Sequence, residues 1–270
     1  MKPFFIAAIL VCAMLFNTTS TMFAAPAKDK ETIYQVALLQ SLTLGYFNGT
    51  VTVKELKTHG DTGIGTFEGL DGEMIVLDGI VYRANQNCRI NVVNDRVLVP
   101  FSNVTFFEKD FSVKLHNVLD KNELESTLNT HVNKHGTNDF YMVKIPGVFN
   151  EIHVRSEEGQ VEPYPTLVEA LTATQKECTF QNIKGTLVGL YCPAFMSSLN
   201  STGWHFHFVS DDKKVGGHVL GLHLESGDAQ FDKTPAFQMI LPETGKFNSL
   251  NFDTDLKEDI RKAEQDSVRR

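Results

Sequence analysis

The chain has 270 residues, 42% of them hydrophobic and 21% charged, with a formal net charge of −8. That is enough apolar material for a sizeable core, in one large domain or two small lobes. The acidic balance argues against nucleic acid as a partner, because phosphate binding needs a basic face.

Met1-Lys2 opens the chain with a positive charge, and Phe4 to Phe16 is a nearly unbroken apolar run of 13 residues. Polar Asn17 to Thr21 and then Ala25-Pro26-Ala27 follow, the layout of a secretory signal peptide cut near Ala27. A run of that length falls short of the roughly 20 residues that span a bilayer. The mature protein is therefore expected to be exported, secreted or periplasmic, and free of the membrane once residues 1–27 are removed. Ile33 to Leu44 reads as an opening helix ended by Gly45. From Gly49 onward strands and turns dominate, with Glu73 to Leu77 and Ile80 to Ala84 joined by the hairpin signal Asp78-Gly79. Lys121 to Asn133 and Thr166 to Gln175 have helical composition, the second opening just after Pro165. Tyr141 to Ser156, Ile183 to Tyr191, Trp204 to Ser210 and Gly217 to Leu224 read as strands, and a helix from about Asp255 closes the chain.

This is an α+β (mixed α/β) pattern of mixed and antiparallel sheet with few helices and no regular βαβ alternation. Gly, Pro and acidic residues gather at Gly159 to Pro165. They suggest an N-terminal lobe over 28–160 and a C-terminal lobe over 161–270, though one continuous domain fits the same text. Outside the leader stand Cys88, Cys178 and Cys192. Either Cys178 and Cys192 close a short disulfide loop, or all three are buried thiols.

The most informative stretch is Gly203-Trp204-His205-Phe206-His207-Phe208, followed by Gly216-Gly217-His218. On a strand His205 and His207 share one face, while Trp204, Phe206 and Phe208 take the other. A turn centred between Asp212 and Lys213 puts His218 directly across from His207, on the same face. Three imidazoles on one hairpin, with a position left open, is the arrangement of a catalytic zinc site. Gly216-Gly217 permits close backbone approach. By alternation His223 faces away and is no ligand. The plain alternative is a half-exposed strand carrying surface histidines.

Other segments carry charge in suggestive places. Glu73 is the first residue after a tight turn, where it can reach a cleft or stay in water. Glu151, His153 and Arg155 share a strand face that is ordinarily solvated. In the last helix Asp255 and Glu258 fit a capping pattern, with Leu256, Ile260 and Ala263 as the apolar stripe. Glu264 then sits at the edge of that stripe, and pairing with Arg261 is the simplest reading of its spacing.

Taken together, these motifs resemble the alpha-acetolactate decarboxylase family. The match runs from Tyr34-Gln35-Val36 and Gly45-Tyr46-Phe47-Asn48-Gly49 through His59 to Phe67 and Leu70-Asp71-Gly72-Glu73-Met74. It continues through Arg155, Gly203 to Phe208 and Gly217-His218 to Ala263-Glu264. The resemblance implies Zn2+ bound by His205, His207 and His218, in a site completed by Glu73, Arg155 and Glu264, with Thr66 lining it. It also implies two lobes with the site between them, and a homodimer. The implied reaction turns (S)-2-acetolactate into (R)-acetoin and carbon dioxide, with zinc as Lewis acid and no organic cofactor. Two readings compete with it. A cupin-like metal oxygenase or isomerase would use Asp211, four residues after His207. A secreted metal- or sugar-binding module would not need Glu73, Arg155 and Glu264 near the metal.

Overall fold

A computed structural model describes residues 28–197 and 199–264. The expected leader lies outside the described residues. The first part of the chain forms β1 (Thr32–Val36), α1 (Leu39–Thr43), β2 (Val51–Thr52), α2 (Val53–Leu56), β3 (Thr62–Thr66), β4 (Glu73–Leu77), β5 (Ile80–Ala84) and β6 (Ile90–Val92). Next come β7 (Leu98–Val99), β8 (Ser102–Thr105), β9 (Phe111–Val118), α3 (Lys121–His135) and the long β10 (Phe140–Ser156). The remainder holds α4 (Leu167–Thr174), β11 (Lys176–Cys192), β12 (Gly203–Ser210), β13 (Gly216–Thr234), β14 (Ala236–Ile240), α5 (Gly245–Asn248) and α6 (Lys257–Glu264).

Two large sheets result, as the α+β reading expects. The first runs β14-β1-β8-β3-β4-β5-β6, with β1 and β14 parallel. The second runs β10-β11-β12-β13-β9, and β10 also pairs with β13, so four strands close on themselves. Alternation divides the side chains of this second sheet. Tyr141, Val143, Trp204, Phe206 and Phe208 pack with Leu124 and Leu128 of α3 on one face. Met142, Val188, Leu190 and Val209 meet Ile64 and Ile75 of the first sheet on the other. Each such fully buried aliphatic or aromatic side chain contributes roughly 1.5–3 kcal/mol. α3 forms where expected because Asp120 caps it, accepting from the Glu123 amide at 2.8 Å, and Leu124, Leu128 and Val132 make one buried stripe. α4 opens with a capping box between Thr166 and Glu169.

Two expectations are corrected. Ile33 to Leu44 is not one helix: Ile33, Tyr34 and Val36 lie in β1, hydrogen-bonded between β8 and β14, and only Leu39–Thr43 is helical. Burial on both faces removed the alternation that marks a strand. Residues Gly159 to Pro165 lie between β10 and β11, which pair along most of their length. The disulfide joins Cys88 to Cys178, and Cys192 is a buried thiol. Cys178 and Cys192 sit near opposite ends of one 17-residue strand, which holds them far apart.

Candidate functional site

β12 and β13 form the hairpin that the histidine spacing predicts, with His207 paired to His218 and Phe208 to Gly217. Ser210 holds its turn: Oγ donates to Asp212 Oδ1 at 2.7 Å and accepts from the amides of Lys214 and Val215. Gly217 has φ +152°, and a Cβ there would collide with the Arg155 carbonyl oxygen of β10. Only glycine lets β10 pass this close. Trp204 lies on the opposite face, as alternation requires, stacked on Phe206 and donating from Nε1 to Asn129 Oδ1 at 2.9 Å.

The three imidazoles converge. His205 Nε2 stands 3.1 Å from His207 Nε2 and 2.9 Å from His218 Nδ1. The far nitrogens reveal what this cluster is suited to hold. His207 Nδ1 lies 2.7 Å from the Met74 carbonyl oxygen, which can only accept, so Nδ1 carries the hydrogen and Nε2 presents a lone pair. His205 Nδ1 lies 3.3 Å from Glu264 Oε2, and a hydrogen donated there leaves Nε2 as a second lone pair. Two lone pairs 3.1 Å apart repel unless a cation lies between them. Protonation does not supply one: burial pushes His207 down to about 3 and His205 and His218 well below the usual range. Neutral rings, backed by a carbonyl and a carboxylate and separated as nitrogens sharing one ion at about 2 Å would be, fit a Zn2+ donor set. Among the described residues these three form the one group of this kind.

The two sheets bring the other expected residues to the same cavity. β3 and β4 end on the pair Thr66 and Glu73, and Thr66 Oγ1 donates to the Gly72 carbonyl at 2.9 Å, closing the intervening loop. Glu73 is thereby turned inward, 3.3 Å from His207 Nε2 and 3.8 Å from Arg155 Nη1. Arg155 is paired with His218 across β10 and β13, so its guanidinium lies beside the cluster at 2% exposure. It donates to the carbonyl of Ala263 and, at 3.3 Å, to Gln175 Oε1. Its Nε has no acceptor among the described residues. Glu264 is buried at the end of α6, whose Ile260 and Ala263, with Leu256 just before the helix, dock in a core with Leu167 and Leu171. Glu73, Arg155, Glu264, His205 and His207 all line one pocket, walled on the apolar side by Leu70 and Phe101, among others. Burial raises the carboxyl of Glu73 well above its ordinary value and also raises Glu264, which Arg155 and Lys121 oppose.

Several details differ from the spacing argument. Arg261 pairs with Glu258 at 2.9 Å, not with Glu264, because the acid at the stripe's edge turns toward His205. His223 was expected on the far face, yet a bulge on β13 opposite the His153–Val154 step shifts the alternation. His223 thus shares the face of His218 but lies farther along, opposite Glu151 and outside the cluster. Asp211 is exposed in the hairpin turn and takes no part, which removes the cupin-like ligand pattern. One charged residue of the pocket escaped the sequence reading. Glu157, 1% exposed, stands 4.0 Å from Arg155 Nη1. Its only sequence signal is the step of two from Arg155.

Known proteins resemble this chain over most of its length. Residues 33–254 match the family profile described as alpha-acetolactate decarboxylase. The alpha-acetolactate decarboxylase of Methanosarcina mazei is 40% identical over 87% of this chain and 81% of its own. That of Brevibacillus brevis is 36% identical over 85% and 84%. The crystal structure of the Bacillus subtilis strain 168 enzyme superposes with a TM-score of 0.83 at 33% identity, covering 87% of this chain and 99% of the other. With the buried histidine cluster set between its two sheets, this chain belongs to the alpha-acetolactate decarboxylase family.

Proposed function

We propose that the chain decarboxylates (S)-2-acetolactate to (R)-acetoin and carbon dioxide, using a zinc ion held by His205, His207 and His218. The observation that carries this reading is the convergence of three neutral imidazoles, two of which line one pocket with Glu73, Arg155 and Glu264. A bound zinc ion supplies Lewis-acid stabilisation of the negative charge that develops as carbon dioxide departs. Arg155 Nε, a buried donor without a partner among the described residues, is placed to hold the substrate carboxylate. Glu73 faces the cluster side of His207 and is the group for proton transfer at the substrate. Glu264 touches Nδ1 of His205, the nitrogen turned away from the cluster, so it fixes that ring's tautomer and orientation. Leu70 and Phe101 offer apolar surface to the substrate's methyl groups and keep water out.

The test is incubation of purified protein with racemic acetolactate without oxygen, following acetoin and carbon dioxide before and after chelation. Anaerobic turnover that chelation abolishes and zinc restores supports the reading; no acetoin, or a need for oxygen, defeats it. A metal- or sugar-binding module would leave the convergence of Glu73 and Arg155 without a purpose. We also propose export, supported by the leader composition and by the Cys88–Cys178 disulfide, which suits an oxidising compartment. Homodimer formation rests on the family resemblance and is read by light scattering. Among the described residues no helix is long and apolar enough to cross a membrane.

A further inference from the structure

A guanidinium carries its N–H donors in one plane, so the bonds it already makes decide which edge is left for a ligand. Arg155, 2% exposed, gives two of its nitrogens to neutral acceptors. Nη2 donates to the Ala263 carbonyl, and Nη1 donates to Gln175 Oε1 at 3.3 Å. The carboxylates of Glu73 and Glu157 lie 3.8 and 4.0 Å from Nη1, too far to orient it by a hydrogen bond. Nε is left without an acceptor among the described residues.

Gln175 is itself fixed from two directions. It ends α4, where its backbone amide donates to the Leu171 carbonyl at 2.9 Å. Leu167, Leu171 and Gln175 are spaced by four, which sets them on one side of that helix, and the two leucines line the pocket. At the other end of the side chain, Nε2 donates to Glu177 Oε1 at 3.2 Å. Turning the carboxamide over would set its NH2 against the Arg155 donor and its oxygen against a carboxylate. Glu177 therefore decides that an acceptor faces Arg155. Glu177 is paired with Arg155 across β11 and β10, and its Oε2 lies 2.9 Å from His153 Nε2. A chain of polar contacts thus runs from His153 through Glu177 and Gln175 to the guanidinium, and it gives His153 a partner that strand alternation alone did not reveal.

We propose that Gln175 is a positioning residue for Arg155: it holds Nη1, with its amide kept the right way round by Glu177, so that Nε stays presented to the substrate carboxylate. The inference rests on the decarboxylase reading of the site, in which Arg155 binds that carboxylate. A carboxamide suits the task because it accepts the bond without neutralising the guanidinium, whose charge the substrate anion needs.

Two ligands and three variants separate this role from packing. 2-Hydroxy-2-methylpropanoate carries a carboxylate and cannot react as a β-keto acid; acetoin has no carboxylate. Gln175→Met keeps the length of the side chain and removes the acceptor. With zinc content verified, it should weaken calorimetric binding of the hydroxy acid about fivefold or more and raise KM for acetolactate in step, while acetoin binding stays within about twofold. Glu177→Leu, which lets the amide turn over, should shift the same way, and Glu177→Gln, which keeps an acceptor for Nε2, should restore most of the affinity. Equal weakening of both ligands would mean a packing role and overturn the proposal, as would unchanged binding of the hydroxy acid in Gln175→Met or a wild type that does not bind it. Should Gln175→Met fail to fold, the contrast between the two Glu177 variants, at an exposed position, decides alone. An inactive wild type would strike the decarboxylase reading instead, and the calorimetric contrast would still decide whether Gln175 sets the grip of Arg155 on a carboxylate.

Discussion

Replacing both Cys88 and Cys178 by serine removes the bridge between the sheets while leaving the histidine cluster in place. Cys88 lies in the turn between β5 and β6, and its carbonyl accepts from Gly216 N at 3.1 Å, beside the hairpin that carries His218. Cys178 lies on β11 opposite Val154. The bond closes a loop spanning 90 residues. In the chain-entropy model, a loop of this length removes unfolded-state freedom worth about 4.6 kcal/mol at 25 °C. At roughly 2.1 cal/mol/K per residue, unfolding the described part of the chain releases on the order of 500 cal/mol/K. The ratio sets a fall in Tm of about 9 °C. Scanning calorimetry of the oxidised wild type, the reduced wild type and the double variant measures it. The last two should melt together, well below the first, with equal zinc content in all three. Mass spectrometry of unreduced peptides should find Cys88 joined to Cys178. A double variant melting within experimental error of the oxidised wild type, or peptides joined through Cys192, would refute the reasoning.

His205→Ala and His218→Ala should lose bound zinc and activity together, while His223→Ala keeps both; metal analysis of the purified variants checks this. Glu73→Gln and Arg155→Lys should retain zinc yet lower turnover by about 10²-fold or more, measured as acetoin formed, because each removes a proton-transfer or carboxylate-binding group. Asp232→Asn tests a buried acid away from the site. Burial raises Asp232 to about 7, with the Glu108 amide at 3.2 Å opposing the shift. An acid raised in the folded state stabilises fully below its unfolded value near 3.9, and that contribution is lost as pH rises toward 7. The asparagine variant should therefore gain stability over wild type between pH 5 and pH 8, by about 1 kcal/mol or more in urea melts. Equal differences at the two pH values would count against the buried charge.

Local chemistry carried much of this molecule in its sequence. The His205-x-His207 alternation, a polar turn and Gly216-Gly217 sufficed to bring His218 opposite His207, because strand period and hairpin register are set within a few residues. α3 and α4 were legible for the same reason, through their caps and apolar stripes. Glu73, Arg155 and Glu264 were different. By spacing each looked like an ordinary surface charge, and only family resemblance set them near the metal.

Tertiary structure decided what no window of sequence holds. β4, β10 and α6 are distant in the chain, and they deliver Glu73, Arg155 and Glu264 to one cavity only once the two sheets dock. β1 hid its strand character because core side chains bury both its faces, Ile33 on one and Tyr34 and Val36 on the other. The bulge on β13 changed the face of His223, since one extra residue inverts every side chain beyond it. The cysteine partner was settled by which strands lie side by side, and Cys178 and Cys192, on one extended strand, are kept apart by its stiffness. Glu157 drew attention only when burial left its oxygens without donors, a condition that exists in the packed interior and nowhere in the sequence.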